Sequence, residues 1–234
     1  MKKPTLLLMV LALAGCASTS PDTTPLVPGP DWQVVRGQWH AVDEHGVNGN
    51  CLTPGQRQPN SSCGGDKMAV LRSRVPLPAN YRVETEVVVH QGVLAELMLS
   101  WHEARFTRFV LYGIDRRAYA GVGYLRLPDI DRGVPSHVQS AFELYTGRRY
   151  RLAVNVCNKQ MTAWVDGQPL LRHSDPKLAG GVLGLRANGS VNFYKVRVKP
   201  LDDFDCPRDF SGGDFMRDAE GMLPPEPAPL CFSC

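Results

Sequence analysis

Glu84 and Glu86 stand two positions apart in the run Tyr81 to His90, where apolar and polar residues alternate. In an extended strand both carboxylates leave on one side, about 6.6 Å apart along the backbone. That lies within the roughly 5 to 9.5 Å range over which paired carboxyl groups hydrolyse glycosides. A third acid at the next alternate position would strengthen the set, but Val88 stands there. In the following run, Val93 to His102, alternation puts Glu96 and His102 on the face opposite Leu97 and Leu99, so a carboxylate base and an imidazole share one side. Arg186, between Leu185 and Ala187, adds a guanidinium to the same kind of polar face. Glu84, Glu86, Glu96 and His102 are the candidates for acid–base work, and Arg186 joins them as a polar residue of an alternating strand. Sugar rings lay their C–H faces on exposed aromatics. Tyr112, opposite Leu111, and Tyr124, in a glycine-flanked strand, are the expected platforms, so the candidate saccharide contacts are Glu96, His102, Arg186, Tyr112 and Tyr124. Tyr119 is expected in an adjoining loop, and Trp101, sharing a face with Leu97 and Leu99, in the core.

Other chemistries are not signalled. The six histidines are scattered with no H-E-x-x-H or other dense ligand spacing, so no metal site and no cofactor are expected. No G-x-S-x-G nucleophile motif occurs, and Ser61-Ser62 falls in an apparent loop. Gly121-Val122-Gly123 and Gly180-Gly181 read as strand edges or turns rather than phosphate cradles.

The elements that must position these side chains begin after an address. Lys2 and Lys3 precede an apolar run from Leu6 to Leu13, then Ala14, Gly15 and Cys16, which is the pattern of an export signal over residues 1–15. The run is shorter than the roughly 18 to 20 apolar residues that cross a bilayer. Leu13-Ala14-Gly15-Cys16 resembles the bacterial lipobox, which implies cleavage before Cys16, acylation of its thiol and a lipid bilayer as partner, and Ala17 after it leans towards the outer membrane of the cell envelope. Residues 16–31, rich in Ser, Thr and Pro, read as an extended tether.

What remains is about 200 residues, one domain of sandwich size, with the 43% hydrophobic and 21% charged content of an ordinary globular protein. The formal charge of +3 includes Lys2 and Lys3, so the mature chain is close to neutral and no nucleic-acid partner is expected. Beside Cys16 there are six cysteines, an even number that in an exported chain favours disulfides. Cys51 and Cys63 bracket a Pro- and Gly-containing loop and are expected to form a local clip. Cys231 and Cys234 are expected to pair back to Cys206 or Cys157, pinning a Cys- and Pro-rich tail over residues 202–234.

From Trp32 onward the apolar period is two, in short runs divided by turn signals. Further strands are expected at Phe106 to Ile114, Ala120 to Arg126, Gln139 to Leu144 and Arg149 to Cys157. Asp166-Gly167 and Asn188-Gly189 are expected to make tight hairpins, and Gln91-Gly92 a turn, because these dipeptides tolerate positive φ. Ten or more short strands so spaced indicate an all-β sandwich or barrel.

Several motifs carry a resemblance: Trp32 and Trp39, Asn80 to Val88, Arg149 to Asn155, Trp164-Val165-Asp166-Gly167, Gly181 to Leu185, and the closing Val191 to Leu201. Their order resembles the concanavalin-A-like jelly roll, within it the 3-keto-disaccharide hydrolase branch, over residues 32–201. The resemblance implies a two-sheet jelly-roll sandwich whose curved sheet binds sugar in a groove, with Glu84, Glu86, Glu96, His102 and Arg186 on its polar floor. It also implies a possible keto-glycoside elimination, with Glu96 as base and His102 as ligand. The three-acid strand of laminarinase-type relatives is missing at Val88. The readings that follow are a lipid-anchored glycan-binding protein, a periplasmic keto-glycoside hydrolase, or an envelope protein that binds other proteins.

Overall fold

A computed structural model describes residues 30–52, 63, 67–125, 138–202, 205 and 206. Among them the alternating runs form twelve strands and no α-helix. In chain order these are β1 Trp32–Arg36, β2 Gln38–Val42, β3 Gly46–Asn50, β4 Ala69–Pro76, β5 Tyr81–His102 and β6 Arg105–Tyr112. The second half adds β7 Arg117–Tyr124, β8 Val138–Ala141, β9 Arg149–Cys157, β10 Gln160–Val165, β11 Gln168–Ser174 and β12 Val182–Pro200.

Every pairing is antiparallel, and two long strands, β5 and β12, belong to two layers at once. Their halves Leu94 to His102 and Val182 to Asn188 lie in a first sheet ordered β1-β4-β12-β5-β6-β7-β8. Their other halves continue into a second sheet, ordered β2-β3-β12-β5-β9-β10-β11. The alternation read from the sequence packs Ala95, Leu97, Leu99, Phe109, Leu111 and Leu185 of the first sheet against Val83, Val87, Leu152, Val154, Met161 and Phe193 of the second. Burial of this inter-sheet layer is the main stabilising contribution, at about 25 cal/mol per Å² of apolar surface.

Two of the expected turns are corners instead. Gln91-Gly92 and Asn188-Gly189 do not reverse the chain; they face each other in register, midway along β5 and β12. Gly92 has φ 110° and Gly189 φ 116°. A Cβ on either would sit 2.1 Å from a carbonyl oxygen of the partner strand, Asn188 O or Gln91 O. The positive φ was legible in the dipeptides; that it serves a bend shared by paired strands depends on contact between distant segments. Asp166-Gly167 is the expected hairpin, with Val165 opposite Gln168 and φ of 52° and 79° at the two turn residues.

Cys51 and Cys63 form the expected clip, and it is fastened to the corner. Asn188 accepts from Cys63 N at 2.6 Å and donates to Cys63 O at 3.2 Å, while Cys51 N donates to Gly189 O at 3.2 Å. Cys157 and Cys206 pair with each other across 49 positions. The expectation that Cys231 or Cys234 would take one of them is therefore corrected. Those two cysteines lie outside the described residues, as do Cys16, the signal segment and residues 16–29 of the tether.

Candidate functional site

Because Leu97, Leu185, Phe109 and their neighbours face the second sheet, the intervening residues of β4, β12, β5, β6 and β7 share the outer side of the first. Strand register sets them in rows. One row runs Val70, Arg186, Glu96, Val110, Tyr119; the next runs Arg72, Gly184, Met98, Arg108, Gly121. Charged side chains in these rows therefore meet across strands although they are far apart in sequence: Glu96 and Arg186, directly opposite in β5 and β12, are separated by 90 positions.

Glu96 is the hub. Its Oε2 accepts from Arg186 Nε at 2.7 Å and from Arg108 Nη2 at 3.2 Å, with Arg186 Nη2 2.5 Å away. Glu96 and Arg186 are each 1% exposed, and the Arg108 side chain 11%. Aromatic rings flank the cluster on one side. The Arg186 guanidinium lies 6.0 Å from the Phe106 centroid, Phe106 lies 6.1 Å from Trp101, and Arg72 stacks 5.0 Å over Trp101. Gly184 makes room for that indole, since a Cβ there would come within 2.8 Å of it. On the other side Tyr112 and Tyr119, both half-buried, stand 6.2 Å apart beside Val93, Leu94 and Val110. Three polar atoms in this face are buried and have no hydrogen-bond partner: Glu96 Oε1, Arg72 Nε and Arg108 Nε.

The structure thus brings together Glu96, Arg186 and Tyr112 of the residues singled out from sequence. It corrects how the first two are presented: they form a shielded ion cluster, not an open polar floor. His102 does not join them. Ser100 has φ 47°, and the register between β5 and β6 shifts after Leu99, so the alternation slips by one residue. Trp101 is buried as expected but on the outer side, packed with Met98, Phe106 and Val70, whereas Ser100 Oγ turns inward to Tyr81 OH at 2.9 Å. His102 then leaves on the opposite side, exposed, with Nε2 2.9 Å from Ala179 O.

Tyr124 also departs from expectation. It is opposite Arg105 in β6 and so has the parity of Ala118 and Ala120, the inward side, emerging 39% exposed at the end of the sandwich. Tyr119, expected in a loop, is a strand residue of β7. Glu84 and Glu86 lie on the outer side of the second sheet, each already paired: Glu84 with Arg82 at 2.6 Å, Glu86 with Arg149 at 3.1 Å and Lys195 at 3.2 Å.

Sequence reasoning missed Arg108, Arg72 and Phe106. A signal was present for Arg108, a charge set between Phe106 and the apolar run Phe109, Val110 and Leu111. At the inner end of β6, Asp175 accepts from Arg105 at 2.6 and 2.7 Å and from Thr107 at 2.6 Å. Burial pushes the Asp175 carboxyl up, but these bonds, with one from Lys177 N, outweigh it and hold the group below the usual carboxylate value. Among the described residues no group of three or more His, Cys, Asp or Glu is placed to hold a metal. A cleft of about 270 Å³ opens elsewhere, at the margin between the sheets; Trp32, Leu77, Leu183, Val196 and Val198 line it, and none of the candidate residues does.

No protein-family model matches the sequence, and no curated protein matches it. Among solved structures the chain is similar to the carbohydrate-binding module CBM66 from Bacillus subtilis, with TM-score 0.55 and 12% identity over 72% of this chain and 95% of that one. It is also similar to a protein of unknown function with a galectin-like fold from Bacillus subtilis, with TM-score 0.52 and 14% identity over 73% of this chain and 89% of that one. Likeness at these identities shows the fold alone, an all-β jelly-roll sandwich, as the sequence led one to expect.

Proposed function

We propose that this protein binds a saccharide on the outer side of its first sheet, and that a lipid on Cys16 holds it at a membrane of the cell envelope. The observation that carries the reading is the continuous set Arg72, Trp101, Phe106, Arg186, Glu96 and Arg108, which combines charged and aromatic surfaces and leaves buried hydrogen-bonding atoms unfilled. Buried polar atoms are normally satisfied, so three on one face mark a place where an occupant adds bonds. Arg108, Tyr112 and Tyr119 are the incompletely buried members through which a sugar reaches it. The fold likeness to a carbohydrate-binding module supports this reading.

Binding is favoured over hydrolysis for a geometric reason. The described strands of this face present one carboxylate, Glu96, already held by two guanidiniums, and two-carboxylate cleavage needs a second. The base-and-ligand pair of a keto-glycoside elimination would need His102 beside Glu96, and His102 lies on the other side of the sheet.

A glycan array with the oxidised, folded protein tests the reading. Specific binding is expected, reduced at least tenfold by Arg108→Ala or Tyr119→Ala and unchanged by Glu84→Ala on the other sheet. A blank array from a folded sample would overturn it in favour of a protein partner. For the anchor, Cys16→Ala is expected to move the protein from the membrane fraction to the soluble one and to abolish labelling with a fatty acid; labelling that persists in the variant would refute the lipid site.

A further inference from the structure

We infer that the saccharide recognised on this face is acidic, carrying a carboxylate or a sulfate that seats against Arg108 and Arg72. The inference rests on the saccharide-binding reading above and narrows its ligand class. Its basis is an imbalance of charge and of hydrogen-bonding type. On the described strands of the face Arg108 and Arg186 both pair with one carboxylate, Glu96, and Arg72 stands in the same row as Arg108 with no carboxylate paired to it among the described residues. Glu96 and Arg186 lie closest, with the Nε hydrogen bond and the Nη2 ion-pair contact of Arg186 converging on Oε2, so that pair neutralises itself. Arg108 is left with a single 3.2 Å bond to the same oxygen and a buried, unpartnered Nε. Arg72 has a ring beneath its guanidinium and a buried, unpartnered Nε as well.

A guanidinium carries five N–H donors, no acceptor and a charge that cannot be titrated away. Placing such charge in a shielded site without a counter-ion is unfavourable. The hydroxyls of a neutral sugar would satisfy some donors, but each brings a donor of its own and none cancels the charge. A carboxylate or sulfate offers acceptors only and supplies the missing negative charge, and its geometry suits the two-pronged fork of arginine. The neighbouring surface suits the remainder of a sugar. Arg108 is opposite Gly121, which has no side chain, and one and two rows away the half-buried Tyr119 and Tyr112 offer ring surface on the same side.

The test measures binding of the full folded protein to matched pairs: oligogalacturonate against its carboxyl-reduced counterpart, and a sulfated oligosaccharide against its unsulfated parent. At least tenfold tighter binding to one or both acidic members is expected, and which pair discriminates distinguishes carboxylate from sulfate. The preference is expected to fall in Arg108→Gln and in Arg72→Gln, with melting curves confirming the fold. Should either variant fail to fold, Arg108→Lys, which keeps the charge and loses the fork, is expected to retain part of the preference. Equal affinity within both pairs would overturn the acidic ligand while leaving saccharide binding in place. Absence of binding to all four would overturn both.

Discussion

Among the described residues, Glu96 is the carboxylate with which both Arg186 and Arg108 pair, so its loss removes the anion held between two shielded guanidiniums. Glu96→Ala is therefore expected to destabilise the protein by about 3 to 5 kcal/mol, the usual effect of breaking a buried ion pair from one side. Glu84→Ala, removing half of an exposed pair with Arg82, is expected to shift stability by no more than about 1 kcal/mol. Urea denaturation of the two variants side by side checks the contrast; equal effects would mean that Glu96 is better solvated than its geometry indicates. Asp175 gives a pH signature. Its folded carboxyl titrates below the ordinary value, so its contribution is complete above the unfolded value, about pH 3.9. It is lost as pH falls from there through the folded value. Acid titration of stability is expected to flatten in that window in Asp175→Asn. At this scale the sequence revealed that Glu96 and Arg186 belonged to one polar face, since alternation alone places them. It did not reveal that they are shielded, nor that His102 is excluded, because a single positive φ at Ser100 reverses the parity of every residue after it.

β5 and β12 owe their length to two glycines, and the element scale is where sequence and structure part most clearly. Asn188-Gly189 reads as a hairpin because a hairpin and a shared corner both need positive φ at glycine. What separates them is whether the next strand pairs with the last or continues past it, and here Gly92, about a hundred positions away, decides. The Asp166-Gly167 hairpin was legible because its partners are adjacent in the chain. Gly92→Ala and Gly189→Ala each force a Cβ to 2.1 Å from a carbonyl oxygen at positive φ, and are expected to destabilise by about 3 kcal/mol or more. Gly147→Ala also has positive φ, at 80°, yet meets nothing within 4 Å, so only the backbone penalty of about 1 to 2 kcal/mol is expected. Thermal or chemical melts of the three variants rank them; a Gly147 effect equal to the others would remove the corner from the argument.

For the molecule as a whole, the two disulfides among the described residues close loops of different span, 12 and 49 positions. In the chain-entropy estimate their removal costs about 3 kcal/mol for Cys51–Cys63 and about 4 kcal/mol for Cys157–Cys206. Paired Cys→Ala variants, melted under oxidising conditions, are expected to show that order. The all-β class and the sandwich were legible in the period-two runs and turn spacing. The sharing of two strands between both sheets was not, since it is a property of non-local pairing. That sharing also bears on how the chain is made. β12 is the last of the described strands in sequence, and it is the neighbour that β4 and β3 need on one side and β5 along its whole length. Until residue 200 has been made, β5 lacks its long partner and the earlier strands have only their hairpins and the β1–β4 and β5–β9 pairings to form. Pairings so distant in sequence form slowly, so the two layers join through the β5–β12 pair only once β12 has been made.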